Sequence, residues 1–239
     1  MPNWGEHLLI ANKILGKIKI DENLFIFGNI LPDVQDGYLV KGISNIRPHE
    51  INHYDLNNGK YSPNNKKGYE VFYEKYFDKM DNPIVIGYLS HLITDALWND
   101  TFYNKKCLKE NDKIIGFINK NGELIKAEKK ELRRYKQEEF RKFQYYIYKN
   151  HDMKLPEFSL DISKNANIIE NININDEDVK KVVEYINETK KDAINHRQET
   201  QIFTIGELEK QIDKTVDFVN DFLKHMQKFP KNLDKSSKI

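Results

Sequence analysis

The stretch Gly87-Tyr-Leu-Ser-His-Leu-Ile-Thr-Asp-Ala-Leu-Trp98 decides the fold of this chain. Drawn as a helix it is apolar on nearly all sides, which predicts a buried helix. His91 and Asp95 are four residues apart and therefore lie on one face of that helix. A buried carboxylate is costly unless it is paired or binds a metal. The stretch therefore predicts either a His–Asp hydrogen bond in the core or half of a metal site.

Composition excludes several classes of protein. The 239 residues carry 38 Lys and Arg against 37 Asp and Glu, a net charge of +1, which indicates no stable nucleic-acid partner. The single cysteine, Cys107, excludes an internal disulfide and fits a reducing compartment. The N-terminus lacks a basic region followed by an apolar run, and no apolar run reaches about 18 residues. We therefore expect no secretory signal, no transmembrane helix and a cytoplasmic location.

Helical periodicity dominates the chain outside this stretch. It predicts a short apolar segment at 25–30 and helices at about 3–18, 64–79, 83–99, 127–150, 176–195 and 204–228. Pro32 disfavours a helical conformation at Leu31, so a long loop is predicted over 33–63. An irregular segment is predicted over 151–174.

One β element interrupts this helical pattern. The alternation near 113–125 predicts a small β-hairpin, and Asn121-Gly122 supplies the positive φ angles of a tight turn. We found no repeat and no clear linker. The sequence therefore predicts an all-α fold, with a single multi-helix domain over 1–229, the hairpin as an insertion, and a flexible tail over 230–239.

Three further residues are candidate metal ligands, although none is specific alone. His7 lies in the first helix, where a histidine is more often part of the core or a helix end. Asp33 follows the apolar segment that ends at Pro32, where aspartate also suits a turn. His53 lies in Arg47-Pro-His-Glu-Ile-Asn-His-Tyr54, a pattern that is more often a surface loop than a ligand segment.

The order of these motifs is more specific than any one of them. The chain presents Trp4 and His7, then Gly28-Asn-Ile-Leu-Pro-Asp33, then His53-Tyr54, then the His91-x-x-x-Asp95 helix. Over roughly residues 1–100 this order resembles the zinc-dependent phospholipase C family. That family shares its helical fold with secreted single-strand-specific nucleases.

The resemblance implies a role for each matching residue. Asp33, His53, His91 and Asp95 match the positions that enclose one zinc ion in that family. His7 matches a ligand of a neighbouring zinc, and Asp95 would bridge the two ions. In the secreted members a tryptophan at the mature N-terminus also binds that neighbouring ion through its amino and carbonyl groups, whereas Trp4 is internal here and has no free amine.

The chain departs from the family at the third zinc position. The family places a histidine shortly after the His-x-x-x-Asp helix and uses a later His-x-x-x-Glu pair. No histidine follows Asp95 nearby, and neither His151 nor His196 has Glu at the fourth following position. We therefore expect one or two ions, and Asp100 is only a candidate substitute.

Imidazole and carboxylate ligands without thiolate suit zinc, iron or manganese. A divalent ion lowers the pKa of a bound water and creates a nucleophile, so the sequence predicts a metal-dependent hydrolase of phosphoesters, phosphodiesters included. Asp33 is predicted to be a ligand or the catalytic base that orients the water. The substrate is a phospholipid or a soluble phosphoester. The alternative is a non-catalytic structural or binding module stabilised by metal.

Other sequence patterns favour different chemistry less well. His151-Asp152 resembles the adjacent pair of His-Asp phosphohydrolases, but it follows the end of a long helix, where both residues suit the helix terminus and a turn. Cys107 has no local motif of a nucleophile. The charged run at 133–142 mixes both signs and is typical of a solvated helix face. The sequence leaves open whether the centre includes Trp4, Asp36, His49, Asp100, His151 or His196.

Overall fold

The computed structural model describes residues 2–54, 67–111 and 113–226. Its helices are α1 (Trp4–Leu15), α2 (Glu22–Gly28), α3 (Leu31–Val34), α4 (His49–Asn52), α5 (Gly68–Lys75), α6 (Pro83–Lys105), α7 (Lys129–Asn150), α8 (Leu160–Ala166), α9 (Asp176–Asp192) and α10 (Ile205–Met226). Short 3-10 turns span Phe77–Lys79 and Ala193–Asn195. This helical architecture confirms the predicted all-α class. Among the described residues, no helix has both the length and the apolar character needed to cross a bilayer.

The β insertion has three strands where the sequence predicted two. Strands β1 (Cys107–Glu110), β2 (Lys113–Ile118) and β3 (Leu124–Lys126) pair antiparallel in the order β1-β2-β3. A turn is present at 119–122, where the Gly122 amide donates to the Asn119 carbonyl at 3.1 Å, but the positive φ predicted at Asn121 is wrong. The loop at 119–123 has five residues, and only Gly122 in it has a positive φ, of 85°. The side chain of Asn119 accepts hydrogen bonds from the amides of Asn121 and Glu123 and stabilises this longer loop.

Three short helices lie where the sequence predicted loop or a break. Helix α3 includes Leu31, contrary to prediction, because Pro32 lies in its first turn, where no amide hydrogen bond is lost. Helix α4 lies in the predicted loop at 33–63, of which 55–63 falls outside the described residues. Helix α8 lies in the predicted irregular segment at 151–174. The predicted tail at 230–239 also falls outside the described residues.

The long helix α6 passes through the core and carries the stretch that predicted it. It begins at Pro83 with Asn82 as its cap, and its middle turns are almost wholly buried. Helix α2 packs closely against it through two glycines. A Cβ at Gly28 would lie 2.5 Å from the Ile84 carbonyl oxygen and 3.0 Å from the Gly87 Cα. The two backbones can approach this closely only because neither glycine has a side chain.

We expect Gly28→Ala to lower the free energy of unfolding by about 1–3 kcal/mol, because α2 must move away from α6 to accommodate the methyl group. Gly206→Ala in the first turn of α10 is the matched control, since a Cβ there meets no atom within 4 Å. It should be neutral or stabilise by up to about 1 kcal/mol. Urea denaturation of the purified variants measures both changes, and equal effects at the two positions would contradict the proposed close contact.

Candidate metal centre

Four separate helical segments bring the five predicted site residues together. His7 lies on α1 and Asp33 on α3, His53 is the residue that ends α4, and His91 and Asp95 lie one turn apart on α6. All five side chains are buried, and His7 and His91 have no exposed surface at all. Groups distant in sequence therefore share one polar cluster inside an apolar core.

The donor atoms in this cluster have the spacing of a four-ligand metal site. His53 Nε2 lies 3.1 Å from His91 Nε2, 3.3 Å from Asp33 Oδ1 and 3.4 Å from Asp95 Oδ2. His91 Nε2 lies 3.9 Å from the same Asp33 oxygen and 3.6 Å from the same Asp95 oxygen. Ligands about 2.0–2.1 Å from a tetrahedral zinc ion are about 3.3 Å apart. These five separations lie close to that value, so the two imidazoles and two carboxylates fit a zinc ion.

Backbone carbonyls fix which ring nitrogen of His53 and of His91, the two inner histidines, faces the cluster. His91 Nδ1 donates a hydrogen bond to the Asn29 carbonyl at 2.7 Å, and His53 Nδ1 donates to the His49 carbonyl at 3.1 Å. A carbonyl can only accept, so the hydrogen of each neutral ring is on Nδ1, and Nε2 presents a lone pair. Metal-binding histidines commonly have this outer hydrogen bond. Two lone pairs facing each other at 3.1 Å repel unless a cation or a proton lies between them.

Unpartnered atoms at the cluster also fit a metal. Both oxygens of Asp95 and both ring nitrogens of His7 are buried and make no hydrogen bond with the described residues. His7 Nε2 lies 3.4 Å from Asp95 Oδ1, whereas His53 and His91 face Asp95 Oδ2. The ring of His7 stacks on that of His91, with centroids 3.9 Å apart. This placement suits a carboxylate that bridges two ions, because each of its oxygens faces a different imidazole.

The electrostatics of the cluster favour a cation. Burial would raise the pKa of Asp33, but His91 and His53 outweigh it and lower that pKa to about 2. The pKa of Asp95 likewise lies well below its usual value, because His91 and His7 outweigh its burial. Burial would lower the pKa of His91, but the two carboxylates raise it to about 9. The acids thus stay ionised, and in the metal-free protein a protonated His91 compensates their charge, whereas a bound divalent ion would take the place of that proton.

The hydrogen bonds that orient the site residues were not predicted from the sequence. The indole N–H of Trp4 donates to Asp33 Oδ2 at 3.1 Å, which leaves Oδ1 facing the histidines. From the sequence, Trp4 was a candidate only as a metal ligand through its backbone amino and carbonyl groups. Asn29 was part of a quoted motif, but nothing in its residue type showed that its carbonyl would hold His91. Its position directly after Gly28, at the close contact of α2 with α6, was the available signal.

Two residues whose membership of the centre the sequence left open lie beside the cluster. Asp36 and His49, together with Asp33 and His53, form a second group whose potential ligand atoms lie within 4.8 Å of one another. His49 Nδ1 and Asp36 Oδ2 are 2.6 Å apart. The first group, His7, His91 and Asp95, meets the same distance limit. Among the described residues these are the two groups of three or more potential ligands.

The other candidates lie elsewhere. Asp100 pairs with Lys67 at 2.8 Å on an exposed surface, His151 lies 3.6 Å from Glu209, and His196 stacks on Tyr145. Among the described residues, Asp100, His151 and Asp152 therefore belong to neither group of potential ligands. Burial raises the pKa of Cys107 to about 11, which disfavours a thiolate nucleophile there.

Comparison with known proteins gives one match. A family model described as zinc dependent phospholipase C matches residues 6–200. The match extends well beyond the region of about 1–100 suggested by the motifs, and it includes the β insertion and helices α7 to α9. No curated protein and no solved structure matches the chain.

The buried His7 gives a pH-dependent prediction for the metal-free protein. Burial lowers its pKa to about 4 from the ordinary 6.5, so its contribution to stability is complete above pH 6.5 and is lost as the pH falls to 4. Over that range we expect wild type to lose up to about 3 kcal/mol relative to His7→Gln, at about 1.4 kcal/mol per pKa unit.

Urea titrations of chelator-treated protein at several pH values measure this difference. The exposed His225 provides the control, and His225→Gln should follow the wild-type pH profile. Parallel profiles for wild type and His7→Gln would contradict the prediction.

Proposed function

Because the chain belongs to the zinc-dependent phospholipase C family, we propose that it is a zinc-dependent hydrolase of phosphoesters, with phosphodiesters as its main substrate class. The observation that carries the proposal is that His53 Nε2 lies 3.1–3.4 Å from His91 Nε2 and from one oxygen each of Asp33 and Asp95, while His91 Nε2 lies 3.6–3.9 Å from the same two oxygens. The proposed ligands of one or two ions are His7, Asp33, His53, His91 and Asp95.

The roles of the ligands follow from their contacts. His53 and His91 would bind an ion through Nε2, since their Nδ1 atoms donate to the carbonyls of His49 and Asn29. Asp95 would bind the same ion through Oδ2, which faces His53, while its Oδ1 faces His7. Asp33, His53, His91 and Asp95 would thus hold one ion, and His7 with Asp95 would hold a second.

When bound, a divalent ion lowers the pKa of a coordinated water towards neutrality and stabilises charge on phosphoryl oxygens. Asp33 is the residue that we assign to orient this water. Its Oδ2 is held by the Trp4 indole, so the carboxylate cannot rotate freely, and its Oδ1 points towards the histidine nitrogens. We assign Asp33 either to metal binding or to accepting the proton of the water, because both roles would use Oδ1 while Oδ2 accepts the Trp4 indole N–H.

One observation favours the alternative of a non-catalytic module. The five residues are at most 8% exposed, and they come from α1, α3, α4 and α6. A metal at their centre would fasten four helical segments together, as a structural zinc site does. A coordination position open to water distinguishes a catalytic site from this closed structural site.

Metal analysis tests the ligand set. Untagged protein purified without exposure to a chelator should contain at least one zinc ion per chain. The double variant His91→Ala plus Asp95→Ala should contain almost none, because it loses two of the four inner donors. His196→Ala removes an exposed histidine outside the centre and should retain the wild-type content. Less than half an ion per wild-type chain would reject the proposed site.

Hydrolysis of a chromogenic phosphodiester tests the reaction. Wild type should be active with zinc, lose activity on chelation and regain it when zinc is restored. The double variant should be at least about 100-fold slower, since even the loss of an outer contact to a metal ligand costs up to about that much. Retained activity in the double variant would reject the site. Bound zinc without hydrolysis of any phosphoester tested would favour the structural module.

A further inference from the structure

His53 has the weakest local support of the five site residues. His91 and Asp95 lie on the 23-residue α6 and His7 on the 12-residue α1, whereas α4, which His53 ends, has four residues. A single helical turn is not stable by itself in water, because nucleation costs more than one turn of hydrogen bonds returns. The position of His53 therefore depends on what holds α4.

The carboxylate of Asp36 holds both ends of α4. Its Oδ2 lies 2.6 Å from His49 Nδ1, and its Oδ1 accepts from Asn52 Nδ2 at 3.1 Å. Asp36 is itself anchored near Asp33, whose carbonyl accepts its backbone amide at 3.3 Å. Hydrogen bonds to an ionised acceptor are stronger than neutral ones, and this carboxylate is 8% exposed. One side chain thus joins the segment that carries Asp33 to the segment that carries His53.

His49 transmits this restraint to His53 in two ways. Its carbonyl accepts the Nδ1–H of His53 and so makes Nε2 the nitrogen that faces the centre. Its imidazole stacks on the His53 ring, with centroids 3.6 Å apart and planes tilted by 32°. The His53 ring can therefore neither flip nor swing without moving His49, and His49 is bound to Asp36.

We propose that Asp36 is a positioning residue for His53, which it orients towards the metal by binding His49 and Asn52 across the single turn of α4. This inference rests on the proposed function. It adds a residue outside the predicted ligand set, and it accounts for Asp36 and His49 lying beside the cluster. Asp36 is not assigned as a ligand, because both of its oxygens already accept hydrogen bonds from α4 side chains.

The fold should tolerate loss of this carboxylate. The hydroxyl of Tyr88 on α6 donates to the Asn52 carbonyl, and the Arg47 amide donates to the Gln35 carbonyl at 2.8 Å. These contacts keep the α4 segment near the core in the absence of Asp36. A variant at Asp36 then reports on the orientation of His53 rather than on global unfolding.

The test uses full-length Asp36→Ala and Asp36→Asn, with Glu50→Gln as the matched control. Glu50 lies on the same turn but is exposed, so its variant removes a charge without changing the hydrogen bonds of Asp36 to His49 and Asn52. Zinc affinity is measured by competition with a chromophoric chelator, and ligand geometry by the visible absorption of the cobalt(II)-substituted protein. We expect Asp36→Ala to weaken zinc binding by about 10–100-fold and to change the cobalt spectrum, at an unchanged number of ions.

Asp36→Asn should retain part of the affinity, because its amide oxygen still accepts one of the two hydrogen bonds. Glu50→Gln should match wild type in both measurements. A third variant, His49→Phe, keeps a stacked ring and the backbone carbonyl but loses the bond to Asp36, and it should weaken zinc binding less than Asp36→Ala. If Asp36→Ala does not fold, Asp36→Asn and His49→Phe decide the question.

Wild-type zinc affinity and an unchanged cobalt spectrum in these variants would overturn the inference while the proposed function stands. Loss of one whole ion from Asp36→Ala, with the remaining ion bound as in wild type, would also overturn it, because Asp36 would then be a ligand. A wild-type protein that binds no zinc would overturn the proposed function and this inference together.

Discussion

The 3.1 Å approach of His53 Nε2 to His91 Nε2 is the constraint on which the site depends. Each ring donates from Nδ1 to a backbone carbonyl, so both Nε2 atoms face the same point. Carboxylate oxygens of Asp33 and Asp95 face that point as well. These four buried groups need a positive charge between them, which the proton of His91 supplies in the metal-free protein and a divalent ion would supply when bound.

The packing of α2 against α6 makes this arrangement possible. Gly28 and Gly87 have no side chains, so the backbones of α2 and α6 lie close together. This brings the residue after α2 within hydrogen-bond distance of His91 on α6. Asn29, which directly follows α2, then places its carbonyl 2.7 Å from His91 Nδ1. The close contact between the two glycines therefore also determines which nitrogen of His91 carries the hydrogen.

The long periodic segments and the identities of the five clustered residues could be predicted from the sequence. Helix α6 has a strong apolar pattern and a cap at Asn82, and its own one-turn spacing places His91 next to Asp95. The short elements α3, α4, α8 and β1 could not be predicted, because four to seven residues carry too little periodicity. Such segments are stabilised by tertiary contacts, as Asp36 stabilises α4.

The sequence by itself determined which residue types are available, their order, and the helical spacing of His91 and Asp95. Only the tertiary structure decided which atom of each side chain faces the centre. That choice depends on partners far away in the chain, such as the Trp4 indole for Asp33 and the Asn29 carbonyl for His91. A ring nitrogen or a carboxylate oxygen has no preferred direction until a specific donor or acceptor occupies its other side, and folding supplies that partner.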